Sequence, residues 1–432
     1  MIVSLDSKIT PFGGLHLIHK QLSSKKFGEF IDAHLGARVK TIGYSYSDIL
    51  LTRLYTCFCG GSSTEDVNYI RTNTLEHLKS FTAPSADTIL RADGELATAC
   101  KNITTSSGKN NKVNVNQKMN DFLISCAKFF DILTDQDLVY DFDHQFIPTE
   151  KYDATYSYKK EKGYFPAVVS IANLPLYIEG RNGNCSVKTA QLDTHRRALK
   201  ALHNKGIYPK YARMDAGSYI QEVTDFFNDQ HILFFIRASQ SQCLLEAASN
   251  SAQWKECTIG FQDMQTTSIA YQFGNAVHRI VAYRVPNKTG QINTFTGDAS
   301  KYMFIITNDW KASDKQVIEF YNQRGASEKV FDIQNNDFNW KYMPHSFLEE
   351  NTVYLIIMAI ANIVYRWLIN TFSKYIEDLN SKARLKQFIF RFVTTVAKVT
   401  KSGRRQIIAL ATTNQERVSY HTVMQFFIHL LS

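Results

Sequence analysis

The seven cysteines of this 432-residue chain, at 57, 59, 100, 126, 185, 243 and 257, never fall into a C-x-x-C pair. Cys57 and Cys59 have no second pair and no histidine at zinc-ligand spacing, which excludes the common zinc-finger and ribbon patterns. An odd, scattered count argues against a disulfide framework and for a reducing compartment. The opening residues, MIVSLDSKIT, lack the basic and apolar zones of a signal peptide. No repeat or low-complexity tract stands out. One apolar run, Val353 to Ile369, approaches membrane-spanning length, but Asn362 and Arg366 interrupt it. It is expected as a buried helix, with a membrane anchor as the alternative.

What is present is an ordinary apolar content of 44%, rich aromatics at 13%, and a formal net charge of +9. That mix describes a folded protein with enough chain for two or three domains. The positive balance favours an anionic partner, and nucleic acid is the commonest one; a merely basic enzyme is the plainer reading. The charge is concentrated near the end. Residues Ser381 to Arg405 hold no acid but include Lys382, Arg384, Lys386, Arg391, Lys398, Lys401, Arg404 and Arg405, with Phe388, Phe390 and Phe392 between them. Such a stretch suits phosphate contact, or else a solvated face that packs its phenylalanines.

Residues 1–117 read as a helical DNA-binding region ending in a linker. Its helices are expected at Phe27 to Leu35, at Asp48 to Cys57, after Glu65 and Asp66, and after Pro84-Ser85. The polar stretch 101–117 reads as a linker or a long surface loop. Residues 118–345 then alternate. A helix from Phe122 leads to a strand at Leu138–Asp143, a hairpin turns around Asn173, and a helix runs to Asn204. A strand at Tyr211–Met214 ends on Asp215, and after another helix comes the apolar strand Ile232–Ile236. This is the order of a ribonuclease-H-like mixed sheet with helices on its faces, an α/β class. A β-rich insertion is expected at about 240–300. Residues 346–432 are expected to be a helical, basic region for DNA contact or dimerisation.

Three acids stand out in this order. In the Leu138–Asp143 strand, Asp141 and Asp143 share a face, and Asp215 ends a separate strand. A helix from about Asp314 carries Tyr321, Arg324 and Glu328 at three- and four-residue spacing, hence on one face if it is continuous. Two strand-end aspartates and a helix-borne glutamate can gather two divalent metals about 4 Å apart for in-line phosphoryl displacement. Hard oxygen donors suit magnesium. Taken singly, each acid is more often a cap or a surface charge.

These blocks together resemble the DDE transposases of bacterial insertion sequences, in the group with a β-rich insertion before the final glutamate. Tyr321-x-x-Arg324-x-x-x-Glu328 is similar to that group's Y-x2-R-x3-E signature, and Arg213-Met-Asp215-Ala-Gly217-Ser-Tyr219 to its block around the second aspartate. Asp141-Phe-Asp143-His-Gln145 stands where relatives read D-x-D-x-T. That pattern assigns Asp143 rather than Asp141, although spacing alone does not choose between them. The resemblance implies a catalytic, metal-holding triad of Asp143, Asp215 and Glu328 with two Mg2+ ions, Mn2+ substituting. It also implies double-stranded DNA partners, namely terminal inverted repeats and a target, with a homodimer on DNA and a nucleoid-associated place in the bacterial cytoplasm. Tyr321 and Arg324 would grip phosphates. The signature's later lysine is replaced by Asn335, leaving Lys329 or Lys341 to substitute and the hairpin route of second-strand cleavage open. Trp254, in the insertion, is a candidate for stacking on an extruded base or else a core residue. The rival readings are a nuclease that cuts without joining and a DNA-binding descendant with a decayed site.

Overall fold

A computed structural model describes residues 8–411, apart from 39–42, 106–107, 252, 288–289, 291, 293–296, 377–378 and 403–404. The chain begins with strand β1 (Ile9–Thr10) and helices α1 (Gly14–Ser24), α2 (Phe27–Leu35), α3 (Tyr46–Phe58), α4 (Val67–Asn73) and α5 (Ala86–Leu96). Local chemistry sets their ends. Ser45 opens α3 with a reciprocal capping box to Asp48, typically worth about 1 kcal/mol. Before α4, the Asp66 carboxylate accepts from the N–H groups of Ser62 and Ser63 and fixes the Gly-Gly-Ser-Ser break.

The stretch 101–117 is not a linker. It forms a hairpin, β2 (Lys101–Thr104) and β3 (Asn110–Asn114), followed by helix α6 (Gln117–Phe129). Its polarity has a physical reason: β2 is the outermost strand of a sheet, and its side chains stay largely in solvent.

Next come β4 (Val139–His144), then β5 (Ile147–Pro148), β6 (Thr155–Tyr156) and β7 (Lys162–Tyr164), the last three forming a small sheet of their own. Strands β8 (Ala167–Ile171) and β9 (Leu174–Arg181) form the expected hairpin. Its turn residues Ala172 and Asn173 both have positive φ, as a two-residue hairpin turn requires. Helix α7 (Gln191–Asn204), strand β10 (Tyr211–Met214), helix α8 (Gln221–Asp229) and strand β11 (Leu233–Ala238) complete the alternation.

The insertion holds helix α9 (Gln242–Ser249) and strands β12 (Lys255–Ile259), β13 (Gln262–Phe273) and β14 (Ala276–Pro286), and β15 (Ser300–Thr307) follows. These strands extend the main sheet, whose order is β12-β13-β14-β15-β11-β10-β4-β8-β9-β3-β2. At its centre, β4, β10 and β11 run parallel, while β8 and β9 are antiparallel. That is the ribonuclease-H-like mixed sheet, and the α/β class is as expected.

Helices α10 (Asp314–Asn322), α11 (Ala326–Asn336), α12 (Leu348–Phe372) and α13 (Leu385–Phe388) follow, then strands β16 (Ala397–Ser402) and β17 (Arg405–Leu410). The C-terminal part is therefore not wholly helical, because β16 and β17 form a hairpin that pairs with β1. The Val353–Ile369 run lies inside α12, and nearly all of that helix is buried in the protein. Phe388 and Phe392 of the basic stretch belong to the same core, whereas Phe390 is exposed. Arg404 falls outside the described residues.

Each face of the sheet has its own core. Tyr140 and Phe142 of β4 point into the larger one, with α6, α7, α8 and α12. The opposite face packs Phe235, Val281 and Ile305 against Val317 and Ile318 of α10. Burying each such side chain contributes roughly 1.5–3 kcal/mol, which holds α10 against the sheet on the side where Asp141 and Asp143 point.

Candidate active site

Strands β4 and β10 pair in parallel from Val139 with Tyr211 to Phe142 with Met214. One residue beyond this pairing, Asp143, near the end of β4, and Asp215, just past β10, stand side by side at a strand spacing of about 4.8 Å. Both are mostly shielded but reach solvent. Each has one oxygen fixed by a nearby backbone donor: Asp143 Oδ1 accepts from His144 N–H at 2.8 Å, and Asp215 Oδ1 from Gly217 N–H at 2.9 Å. The other oxygen of Asp143 meets a guanidinium nitrogen of Arg324 at 2.7 Å.

Arg324 arrives from the segment between α10 and α11. Ser313 and Gln316 cap α10 with a second capping box. The helix does not run on unbroken to Glu328, since Gln323–Gly325 forms a tighter three-residue turn between α10 and α11. That turn alters the one-face arrangement expected from spacing. Arg324 reaches Asp143, while Glu328, in the first turn of α11, and Lys329 remain exposed. Among the described residues, no three His, Cys, Asp or Glu side chains come close enough together to hold a metal ion. Arg324 thus meets Asp143 beside Asp215, while Glu328 does not join the two aspartates in a metal-holding group.

Tyr321 sits within electrostatic reach of Asp215, Arg324, Arg237 and Tyr283. Burial pushes its phenol up, against the pull of the two arginines. It therefore acts as a neutral hydrogen-bonding group near pH 7. Arg237, on β11, donates to the Tyr283 hydroxyl at 2.7 Å. No short-range spacing links these two to Tyr321; the pairings of β11, β15 and β14 place them there.

A second ion pair lies beneath the first. Arg213 and Asp141 face each other in register, and two guanidinium nitrogens meet the two carboxylate oxygens at 2.7 Å each. The alternation of side chains offered a signal for it, because Arg213 shares a strand face with Asp215 as Asp141 does with Asp143. The carboxyl of Asp141 is pushed up by burial, opposed by Arg213 and Arg324. Asp141 is thus committed to Arg213, which leaves Asp143 as the aspartate at the open end of the strand.

The family model for the transposase DDE domain, group 1, matches residues 6–430. The chain belongs to this family of DDE transposases. Comparison with curated proteins gave no match. For a transposase of this family the donor set fits divalent ions in part. Two hard carboxylates stand side by side, each held by a backbone N–H, while Glu328 is not yet gathered and a guanidinium covers one oxygen of Asp143.

Other family-like positions are also resolved. Trp254 packs on the core with the Arg284 guanidinium 4.3 Å from its ring centre and Tyr302 at 5.9 Å. Its ring face is thus already occupied. Asn335 is half-buried, while Lys329 and Lys341 are exposed.

Proposed function

We propose that this transposase cleaves DNA at the ends of an insertion sequence and joins the freed 3′ hydroxyls to target DNA, using Asp143, Asp215 and Glu328. The observation that carries the reading is the pair Asp143 and Asp215 at adjacent ends of parallel strands, beside the segment bearing Tyr321, Arg324 and Glu328. Asp143, Asp215 and Glu328 would hold Mg2+, or Mn2+ in its place. Two such ions, when bound, supply an activated water or hydroxyl and charge neutralisation at the leaving oxygen. Arg324 grips a backbone phosphate with its planar fork, and Tyr321 donates a hydrogen bond to it. Lys329 adds a positive charge on the exposed side of α11.

The helices of residues 1–117 recognise the terminal repeats, residues 118–345 form the catalytic unit, and residues 346–432 contact DNA or the second copy of a homodimer on DNA. The net charge of +9 supports the nucleic-acid partner. Such work belongs in the bacterial cytoplasm, on the nucleoid.

Cleavage of a labelled duplex from the sequence flanking the gene, with Mg2+ or Mn2+, tests this directly. Wild type is expected to nick at the element end and, given pre-cut ends, to yield joined product. Asp143→Ala should lose both activities. Nicking without any joined product would favour the nuclease reading. Tight, specific binding without cleavage would sink the enzymatic reading altogether.

A further inference from the structure

The Asp141–Arg213 pair does more than join two strands. Its guanidinium has a third partner, the carbonyl of Phe320 at 3.1 Å, and Gln323 Oε1 lies at 3.5 Å from the same nitrogen. The guanidinium also stands 5.0 Å from the centre of the Phe320 ring. Phe320 is in the last turn of α10, where unpaired helix carbonyls and the negative end of the helix dipole favour a cation. Tyr321, Arg324 and Glu328 follow immediately.

We propose that Arg213 and Asp141 are positioning residues that set the Tyr321–Glu328 segment against the ends of β4 and β10. The assignment rests on the transposase reading of that segment. Three arguments carry it. The two side chains are only 7% and 12% exposed, and burying two charges is a poor source of stability compared with an apolar pair of similar volume. What such a pair does give is direction. A bidentate fork fixes the guanidinium plane on Asp141 and aims the remaining nitrogen at the Phe320 carbonyl. No other residue type offers that set of donors; lysine offers a point charge without the planar fork. Finally, the tie falls where the helix changes course, just ahead of the Gln323–Gly325 turn. A tilt of α10 there would be transmitted to all three functional side chains.

The test compares Asp141→Asn, Arg213→Lys and Phe320→Leu with wild type in the full-length chain. Phe320→Leu is the variant chosen to preserve folding, because it keeps an apolar side chain and loses only the ring beneath the guanidinium. Two quantities are read. The first is hydrogen exchange of the backbone amides 321–330, which does not depend on catalysis. It should speed up by about tenfold or more in all three variants, while the strands of the main sheet keep their protection. The second is end cleavage under saturating metal. Its rate should fall by about 100-fold in Asp141→Asn and Arg213→Lys, as expected when reacting groups are misplaced by about 1 Å. The thermal unfolding midpoint of Phe320→Leu should stay near that of wild type, as a global loss of structure would not allow. Unchanged exchange at 321–330 in folded variants would overturn the proposal. So would an Asp141→Asn chain that is inert while Asp143→Asn still cuts, for then Asp141 is itself the catalytic acid. If wild type exchanges as expected but cuts no end DNA, the transposition reading fails, and the exchange data still decide the positioning role.

Discussion

Arg324 and a divalent ion want the same oxygen. The guanidinium is 2.7 Å from Asp143 Oδ2, and both side chains are mostly shielded from solvent. An ion pair so placed is screened less than a surface pair, so a cation must displace Arg324 before it can use that oxygen. A DNA phosphate offers Arg324 another partner of the same geometry. Binding of DNA and of metal should therefore help each other, and by linkage the help is reciprocal. Without DNA, Arg324→Gln is expected to bind Mn2+ about tenfold more tightly than wild type, a gain of about 1.4 kcal/mol. The same variant should cleave less, because the phosphate grip is lost. Calorimetric titration of DNA-free protein reads the first effect. An equal or weaker Mn2+ affinity in the variant would show that Arg324 does not guard the site.

At the level of elements, the small sheet β5-β7-β6 springs from the Asp143 end of β4, only a few residues beyond that aspartate. Its root is firm: Lys112 and the buried Tyr164 both bond Asp153, and Asn184 N–H donates to the Thr155 hydroxyl at 3.0 Å. Its outer side carries Tyr152, Tyr156 and Tyr158, which are 79%, 68% and 87% exposed, beside the exposed Lys159 and Lys160. Rigidly mounted tyrosines with lysines suit DNA near the cleaved position. Tyr156→Ala with Tyr158→Ala should weaken end-DNA binding by about 10- to 100-fold, and the Phe versions should not. Lys159→Gln with Lys160→Gln should lower the salt slope of binding by about 2, which titration across salt concentrations reads. If the Ala and Phe pairs bind alike, stacking is not their role. Sequence patterning located the helix from Asp314 and the β4 and β10 strands, because strand alternation and helical spacing are local properties. It misread β2 because a solvated edge strand has the composition of a loop, and β3 because the residues it buries include the polar Asn111 and Asn114. The turn at Gln323–Gly325 was invisible for a related reason: the contacts of Arg213 with the end of α10 and of Arg324 with β4 accompany it, and those partners are far apart in sequence.

At the scale of the whole molecule, burial acts on the charge state of several histidines. His195 lies wholly inside the large core among Phe142, Tyr140 and Phe227, its Nδ1 bonded to the Tyr140 hydroxyl. Burial, helped by Arg181, pushes it down to about 3. His16, beside His19 and His77, is pushed down to about 4, again chiefly by burial. His144, stacked on Phe165, is also held well below its ordinary value by burial. These rings stay neutral in the folded chain but take a proton near pH 6.5 once unfolded. Between those two values the unfolded state binds more protons, so stability falls as the pH is lowered through 6.5 and continues to fall toward the folded values. By pH 5 a fully buried ring such as His195 costs about 2 kcal/mol, and His16 and His144 act in the same direction. Thermal unfolding followed from pH 7.5 to pH 5 should show a steady drop in midpoint. His195→Gln, which cannot take up the proton, should be less stable at pH 7.5 yet lose less on acidification. A variant whose midpoint falls in parallel with wild type would mean that other groups drive the acid response.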